Sequence, residues 1–260
     1  MSTAPLRLVT RADDIGSFRS ANRAALDCVD KGILRNVSLI ANAAHLDHAA
    51  QLMAGRCDIC FGHHMTICCE WPTCRWRPVA PPDSVPNLVR PDGTLFASPQ
   101  EVQDHGVDFD QIIIEMQAQL DCLRCAGFKI AYCETHMSFD WLFEGNDDTR
   151  RLEQYLERWA SEQGLWFNTD NDRVPRFGQA PGDASDPVSR LLANLRTHES
   201  GTYMVVGHPW YNDNEVAEHC VGPRSGNETM RDLQRRLFVD PEIVEYCRTH
   251  AVHLARFDEL

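Results

Sequence analysis

The feature that most constrains this chain is an alternation: short apolar runs take turns with longer amphipathic stretches along most of its length. Short apolar runs read as strands and stretches with a 3.6-residue period as helices. Strands separated by helices pair in parallel, because the helix supplies the crossover that returns the chain to the same end of the sheet. Strands are expected at Leu6–Thr10, Val37–Ile40, Asp58–Gly62, Lys129–Cys133, Trp166–Asn168, Tyr203–Gly207 and Val252–Phe257. Helices are expected from about Ser17 (as the cap) to Lys31, and at His45–Ala54, Phe109–Cys125, Asp148–Gly164, Pro187–His198, Thr229–Leu237 and Pro241–His250. With 260 residues and no Gly-x-Gly-x-x-Gly turn, the pattern favours an α/β fold, a distorted (β/α) barrel of mostly parallel strands with outer helices, over a dinucleotide-binding sheet. One domain is expected over residues 1–260. Within it, Met65–His105 has no period and reads as a long loop on the substrate side.

Composition narrows the classes. A hydrophobic share of 43% with 24% charged residues suits a globular protein with a buried core. The 38 acidic side chains outnumber the 25 basic ones, for a formal charge of −13, which argues against nucleic acid or an anionic membrane as partner. No stretch approaches the roughly 20 apolar residues that cross a bilayer, and Met1–Thr10 lacks the pattern of a secretory signal. Eleven cysteines, an odd number in a chain of this size, read as reduced thiols in a cytoplasmic protein. Cys57/Cys60 and Cys122/Cys125 have Cys-x-x-Cys spacing, but one pair falls in a strand-like run and the other in a helix-like one. They read as free thiols rather than a zinc ribbon.

In parallel α/β architectures the side chains just past the strand C-termini converge on one rim, and that rim carries the chemistry. The first strand is followed by Arg11-Ala12-Asp13-Asp14-Ile15-Gly16 and the third by Gly62-His63-His64-Met65-Thr66. Two later strands deliver Glu134-Thr135-His136 and His208-Pro209-Trp210. One carboxylate with two imidazoles suits a divalent ion that keeps positions open for water and substrate. Zinc and magnesium are the leading candidates. The second aspartate would then serve as general base, and a separate imidazole, His208, would protonate the leaving group. Such a set describes metal-assisted hydrolysis of an amide or ester. His45, His48, His105, His198, His219, His250 and His253 fall on helices, loops or a strand away from the rim, and read as structural or surface residues.

Taken in order, Ala12-Asp13-Asp14-Ile15-Gly16, Gly62-His63-His64, Glu134-Thr135-His136 and His208-Pro209 resemble the motifs of the YdjC-like (ChbG/HpnK-type) carbohydrate deacetylases. The C-terminal stretches Gly226–Leu233, Asp240-Pro241-Glu242 and Leu254–Leu260 are similar to that family's ending, so the resemblance runs nearly end to end. It implies a distorted barrel and metal-dependent removal of acetyl groups from N-acetylated sugars. Carried over by position, Asp14, His64 and His136 would hold the metal, Asp13 would be the base, His208 the acid or a substrate contact, and Glu228 a substrate contact. Family members commonly show Asp-Ser-His with further histidines after it. This chain has Glu134-Thr135-His136-Met137-Ser138, with Glu134 placed to orient a ligand imidazole.

The segment from Cys68-Cys69-Glu70-Trp71 to Arg75-Trp76-Arg77-Pro78 departs from the better-known members. Trp71 and Trp76 are candidates for stacking on a sugar ring, with packing of the loop as the other reading. Arg173, after the Trp166–Asn168 strand, is a further candidate substrate contact through its forked guanidinium. Two alternatives to the sugar amide remain at this level: another metal-dependent hydrolysis, of a different amide or ester, or a sugar-binding protein that has lost catalysis. A homodimer is compatible with the apolar helical surfaces.

Overall fold

The computed structural model describes residues 5–137, 139, 147–167, 174–177, 186–198 and 200–260. The chain opens with β1 (Leu6–Ile15), α1 (Arg19–Lys31), β2 (Asn36–Leu39), α2 (Leu46–Met53) and β3 (Cys60–Met65). A long connection carrying α3 (Pro99–His105) leads to α4 (Phe109–Cys125), β4 (Ile130–Thr135), α5 (Asp147–Glu162) and β5 (Trp166–Phe167). Then follow α6 (Pro187–Thr197), β6 (Gly201–Gly207), α7 (Asn214–Ala217), α8 (Asn227–Val239), α9 (Pro241–Thr249) and β7 (His253–Ala255).

Among the described residues the named strands all pair in parallel, in the order β5-β4-β3-β2-β1-β6. β1 is the hub. One of its edges pairs with β6 from Leu6 to Ala12, while β7 pairs with it at Arg7–Val9 and β2 from Arg11 onward. Arg176, nine residues past the end of β5, bridges to Met204 of β6, so the chain leaving one edge of the sheet reaches the other. The result is a curled sheet that does not close by continuous pairing among the described residues. It is the expected distorted (β/α) barrel with outer helices.

Strand alternation sorts the side chains into two sets. Leu8, Ala12, Val37, Leu39, Phe61 and Cys133 face the helices and join the main core. Val9, Cys60, Tyr132, Met204, Ala255 and Phe257 fill the inside of the curl as a separate cluster. Gly62 permits this inner packing, because a Cβ there would lie 2.2 Å from the Tyr132 ring. Asn36 ties the floor together: its amide donates to Thr10 O at 2.9 Å and Ala255 O at 3.0 Å and accepts from Phe257 N at 2.9 Å. Going up the same interior positions, Val9 gives way to Arg11 and Asp13, Cys60 to His64, and Tyr132 to Glu134. The interior changes from apolar to ionic along the strands.

Three local expectations are corrected. Ser17 does not cap α1; the Glu215 carboxylate, brought by α7, accepts from Arg19 N at 2.9 Å and Ser20 N at 2.8 Å instead. β3 begins and ends later than its apolar run suggests, so both His63 and His64 lie within the strand. The Met65–His105 stretch is not wholly irregular, for Ser98 caps α3 by accepting from Glu101 N at 3.3 Å, with Pro99 in the first turn.

Candidate active site

A regular strand would turn Asp13 and Asp14 to opposite faces. Here the β1–β2 register shifts between Ala12 and Ile15, and Asp14 takes a left-handed backbone with φ of 62°. That conformation costs a non-glycine residue roughly 1–2 kcal/mol, and aspartate is among the residues that tolerate it best. The turn is held by Ser17, whose Oγ donates to Asp14 O at 2.5 Å, and by Asn22, whose Oδ1 accepts from Gly16 N at 2.8 Å. Ser17 is thus occupied with the site and not with the helix. Both carboxylates reach the interior rim.

Asp14 Oδ1, His64 Nε2 and His136 Nδ1 form a triangle with sides of 3.2, 3.1 and 3.2 Å. Each imidazole is braced from behind by a carboxylate. His64 Nδ1 is 2.5 Å from Glu134 Oε1, and His136 Nε2 is 3.0 Å from Glu70 Oε2. Those carboxylates take one nitrogen of each ring and turn the other, with Asp14 Oδ1, toward a common point. Protons on the rings hold the three atoms together in the metal-free protein, and a cation that displaced them would find three ligand atoms in place. Ligands about 2.1 Å from a divalent ion stand about 3.0–3.4 Å apart in octahedral or tetrahedral geometry, so the spacing suits such an ion without selecting which one. Charge is compatible with this: Asp13, Asp14, Glu70 and Glu134 face the guanidiniums of Arg11 and Arg231, and the two remaining negative charges are balanced by protons on His64 and His136 or by one divalent ion in their place. The residues present fit one divalent cation.

Asp13, His64 and Glu134 form a second group of mutually close ligand atoms. Arg11 already fills it. Its Nε and Nη2 grip the two Asp13 oxygens at 2.7 Å each, and Nη2 lies 3.4 Å from Glu134 Oε2. On the other side Arg231 of α8 holds Asp14 Oδ2 at 2.5 Å, leaving Oδ1 for the triangle. Burial disfavours the Asp13 carboxylate, but Arg11, then His64 and His208, outweigh it and hold its pKa below the ordinary range. Burial likewise opposes ionisation of Asp14, and Arg231 and His136 overcome it. Against the same penalty, Glu134 and Asp14 raise His64 well above the usual imidazole range, and Glu70 and Asp14 raise His136 to about 9. The half-buried His208 goes the other way, lowered by burial and by Arg231.

The candidates drawn from sequence divide. Asp13, Asp14, His64, His136 and Glu134 come together, and His208 lies where it feels both aspartates. His63 takes the opposite face, its Nε2 2.9 Å from Gln119 Oε1, and burial pushes it down to about 4. Trp71 and Trp76 are 0% and 3% exposed, so neither offers an open face for a sugar ring. Trp71 packs between Phe18 and Trp210 at 5.4 and 5.8 Å, and Arg231 lies over both indoles at 5.6 and 4.8 Å. The indoles therefore form the wall behind the guanidinium that holds Asp14. Trp76 sits 5.7 Å from the His136 ring. Glu228 turns to its own helix, accepting from Gly226 N at 3.0 Å, and Arg173 lies outside the described residues. All eleven cysteines are free, and among the described residues none joins a metal-like group.

Sequence reasoning assigns Arg11 and Arg231 no role, and does not place Glu70 against a ligand imidazole. Arg11 carries a signal, a cation two residues before an interior aspartate on a buried strand. Arg231 lies in the Gly226–Leu233 stretch that resembles the family's ending, but nothing there links it to Asp14, 217 residues away.

The YdjC-like protein family model matches residues 7–145, just over half of the chain, a span that contains Asp13, Asp14, His64, Glu70, Glu134 and His136. A carbohydrate deacetylase from Thermoanaerobacter pseudethanolicus is 24% identical over 265 residues, covering 97% of this chain and 98% of its own. One from Brevibacillus brevis is 21% identical over 281 residues, covering 98% and 100%. Among solved structures, a protein from Enterococcus faecalis named for cellobiose-phosphate cleavage superposes with a TM-score of 0.75 at 15% identity, over 98% of this chain and 99% of that one. This last likeness bears on the fold alone.

Proposed function

The chain belongs to the YdjC-like family, and from that premise and the rim geometry we propose that it is a metal-dependent carbohydrate deacetylase, hydrolysing the acetamide of an N-acetylated sugar. The observation that carries the reading is the Asp14–His64–His136 triangle with Asp13 beside it. A divalent ion held there would supply Lewis acidity, acidifying a water and polarising the acetyl carbonyl.

The chain's own residues do the rest. Asp14 presents one oxygen to the ligand triangle because Arg231 occupies the other. Glu134 and Glu70 fix which nitrogen of each imidazole faces inward. Asp13 is ionised throughout the neutral range, and each of its oxygens keeps a lone pair beyond its bond to Arg11. It is the base that accepts the proton of the attacking water. His208 starts neutral, so it must take a proton from bulk water before it can give one to the departing amine; the negative aspartates favour that uptake, and burial and Arg231 oppose it. The 65–105 segment contributes Glu70 and Trp76 to the rim, which supports a place for this segment on the substrate side.

Acetate release from a panel of N-acetylated mono- and oligosaccharides tests the assignment, with metal-stripped protein reloaded by one divalent ion at a time. Release should return with metal and be lost in Asp14→Asn, a substitution that the left-handed backbone tolerates. Metal-loaded protein that releases acetate from no sugar would defeat the proposal and turn attention to other amides.

A further inference from the structure

Arg11 is an expensive residue where it stands. It is 2% exposed, it sits inside the barrel just above the apolar layer, and its Nη1 has no hydrogen-bond partner among the described residues. An apolar side chain would fill the same space without the cost of burying a charge. What the guanidinium does that no apolar group could is touch two carboxylates from two strands: Asp13 on β1 through both oxygens, and Glu134 on β4 at 3.4 Å. Glu134 in turn holds His64 of β3 through Nδ1.

We propose that Arg11 is a positioning residue that sets the base and a metal ligand together, aiming Asp13 directly and the His64 ring by way of Glu134. The proposal rests on the one-metal deacetylase reading. The fork geometry matters because Nε and Nη2 fix the plane of the Asp13 carboxylate, and the same Nη2 reaches across the inside of the curl to β4, three strands along the sheet. A lysine has the charge but only one nitrogen, on a flexible stem, and cannot hold both groups in plane. Base and ligand imidazole are thereby locked in relative orientation without a direct bond between them.

The test uses the full chain, stripped of metal and titrated with cobalt(II) alone, so it needs no substrate. Arg11→Lys should weaken cobalt binding by about 10-fold, the low end of what an outer partner contributes, since it meets Glu134 as an ion pair at 3.4 Å, and shift the visible ligand-field bands because the His64 ring is re-aimed. Glu134→Gln should do likewise, and the double variant should be little worse than the weaker single, because both cut one chain of contacts. Under saturating metal, Arg11→Lys should lower kcat and leave KM in place. Wild-type affinity and bands in Arg11→Lys, or losses that multiply in the double variant, would overturn the proposal and leave the deacetylase reading intact. Should Arg11→Lys not fold, Arg11→Gln takes its place, since it keeps a planar polar group but cannot hold both Asp13 oxygens. Wild-type cobalt affinity and bands in that variant would overturn the proposal, and a tenfold loss with shifted bands would support it. Wild-type protein that binds no cobalt would defeat the metal reading, and this inference with it.

Discussion

The two imidazoles of the triangle are held in different ways. His64 is braced wholly by the barrel: its own strand is β3, its carboxylate partner Glu134 comes from β4, and Arg11 of β1 closes the chain of contacts. His136 stands at the end of β4, but its partner Glu70 comes from the long connection between β3 and α3, and its ring lies against Trp76 of the same segment. One ligand is therefore set when the strands pair, and the other is completed only when the connection packs over the rim. The barrel side also carries the base. The comparison separates what the fold fixes from what the connection adds, and it can be broken in four places.

The largest effect is expected on the barrel side. Asp13→Asn removes the proton acceptor and should lower kcat by about 10²- to 10⁴-fold while metal affinity, measured by competition with a chromophoric chelator, changes little. A large loss of metal in that variant would make Asp13 a ligand and not the base.

Next comes pH. Both raised imidazoles keep their protons at neutral pH in the metal-free protein, and a metal must displace them. Affinity should therefore climb with pH by about 100-fold per unit through neutrality, with about two protons released per ion, and the slope should ease as pH approaches about 9, where His136 loses its proton unaided. Calorimetry in buffers of different ionisation enthalpy counts the protons. A count near zero would mean that the triangle is held open by something other than protonated imidazoles.

The braces themselves should lose similar affinity but differ in their cost to the fold. Glu134→Ala and Glu70→Ala should each weaken metal binding by about 10- to 100-fold. Glu134→Ala should destabilise the metal-free protein more, by about 3 kcal/mol, since it strips a carboxylate from both His64 and Arg11 inside the barrel, whereas Glu70→Ala leaves only His136 unpaired. Equal urea midpoints for the two variants would erase the distinction between barrel and connection. Smallest is Gly62→Ala, whose added methyl meets the Tyr132 ring and should cost about 1–3 kcal/mol with the rim chemistry unchanged.

Much of the rim was legible because its residues end short apolar runs. Asp14, His64 and His136 follow strand signals, and period-two alternation already separates His64 from His63. What was hidden depends on contacts distant in sequence or on backbone conformation. Nothing local shows that Asp14 leaves the strand's alternation to stand beside Asp13, or that Ser17 is taken by that turn and yields helix capping to Glu215. Arg231 arrives from α8, and Glu70 was visible only as one polar residue among tryptophans. α3 could have been found, since Ser98-Pro99-Gln100-Glu101 combines a cap, a proline in the first turn and a glutamate three residues on.

The left-handed backbone at Asp14 has a consequence for descent. Glycine, asparagine and aspartate sit most comfortably at that φ. From either aspartate codon, asparagine and glycine are each one base away. A lineage released from selection on the metal would thus pass most readily to Asn or Gly at position 14, keeping the barrel and discarding the ligand in one mutational step. Chains of this shape with Asn or Gly there are where silent, non-hydrolytic descendants should be sought.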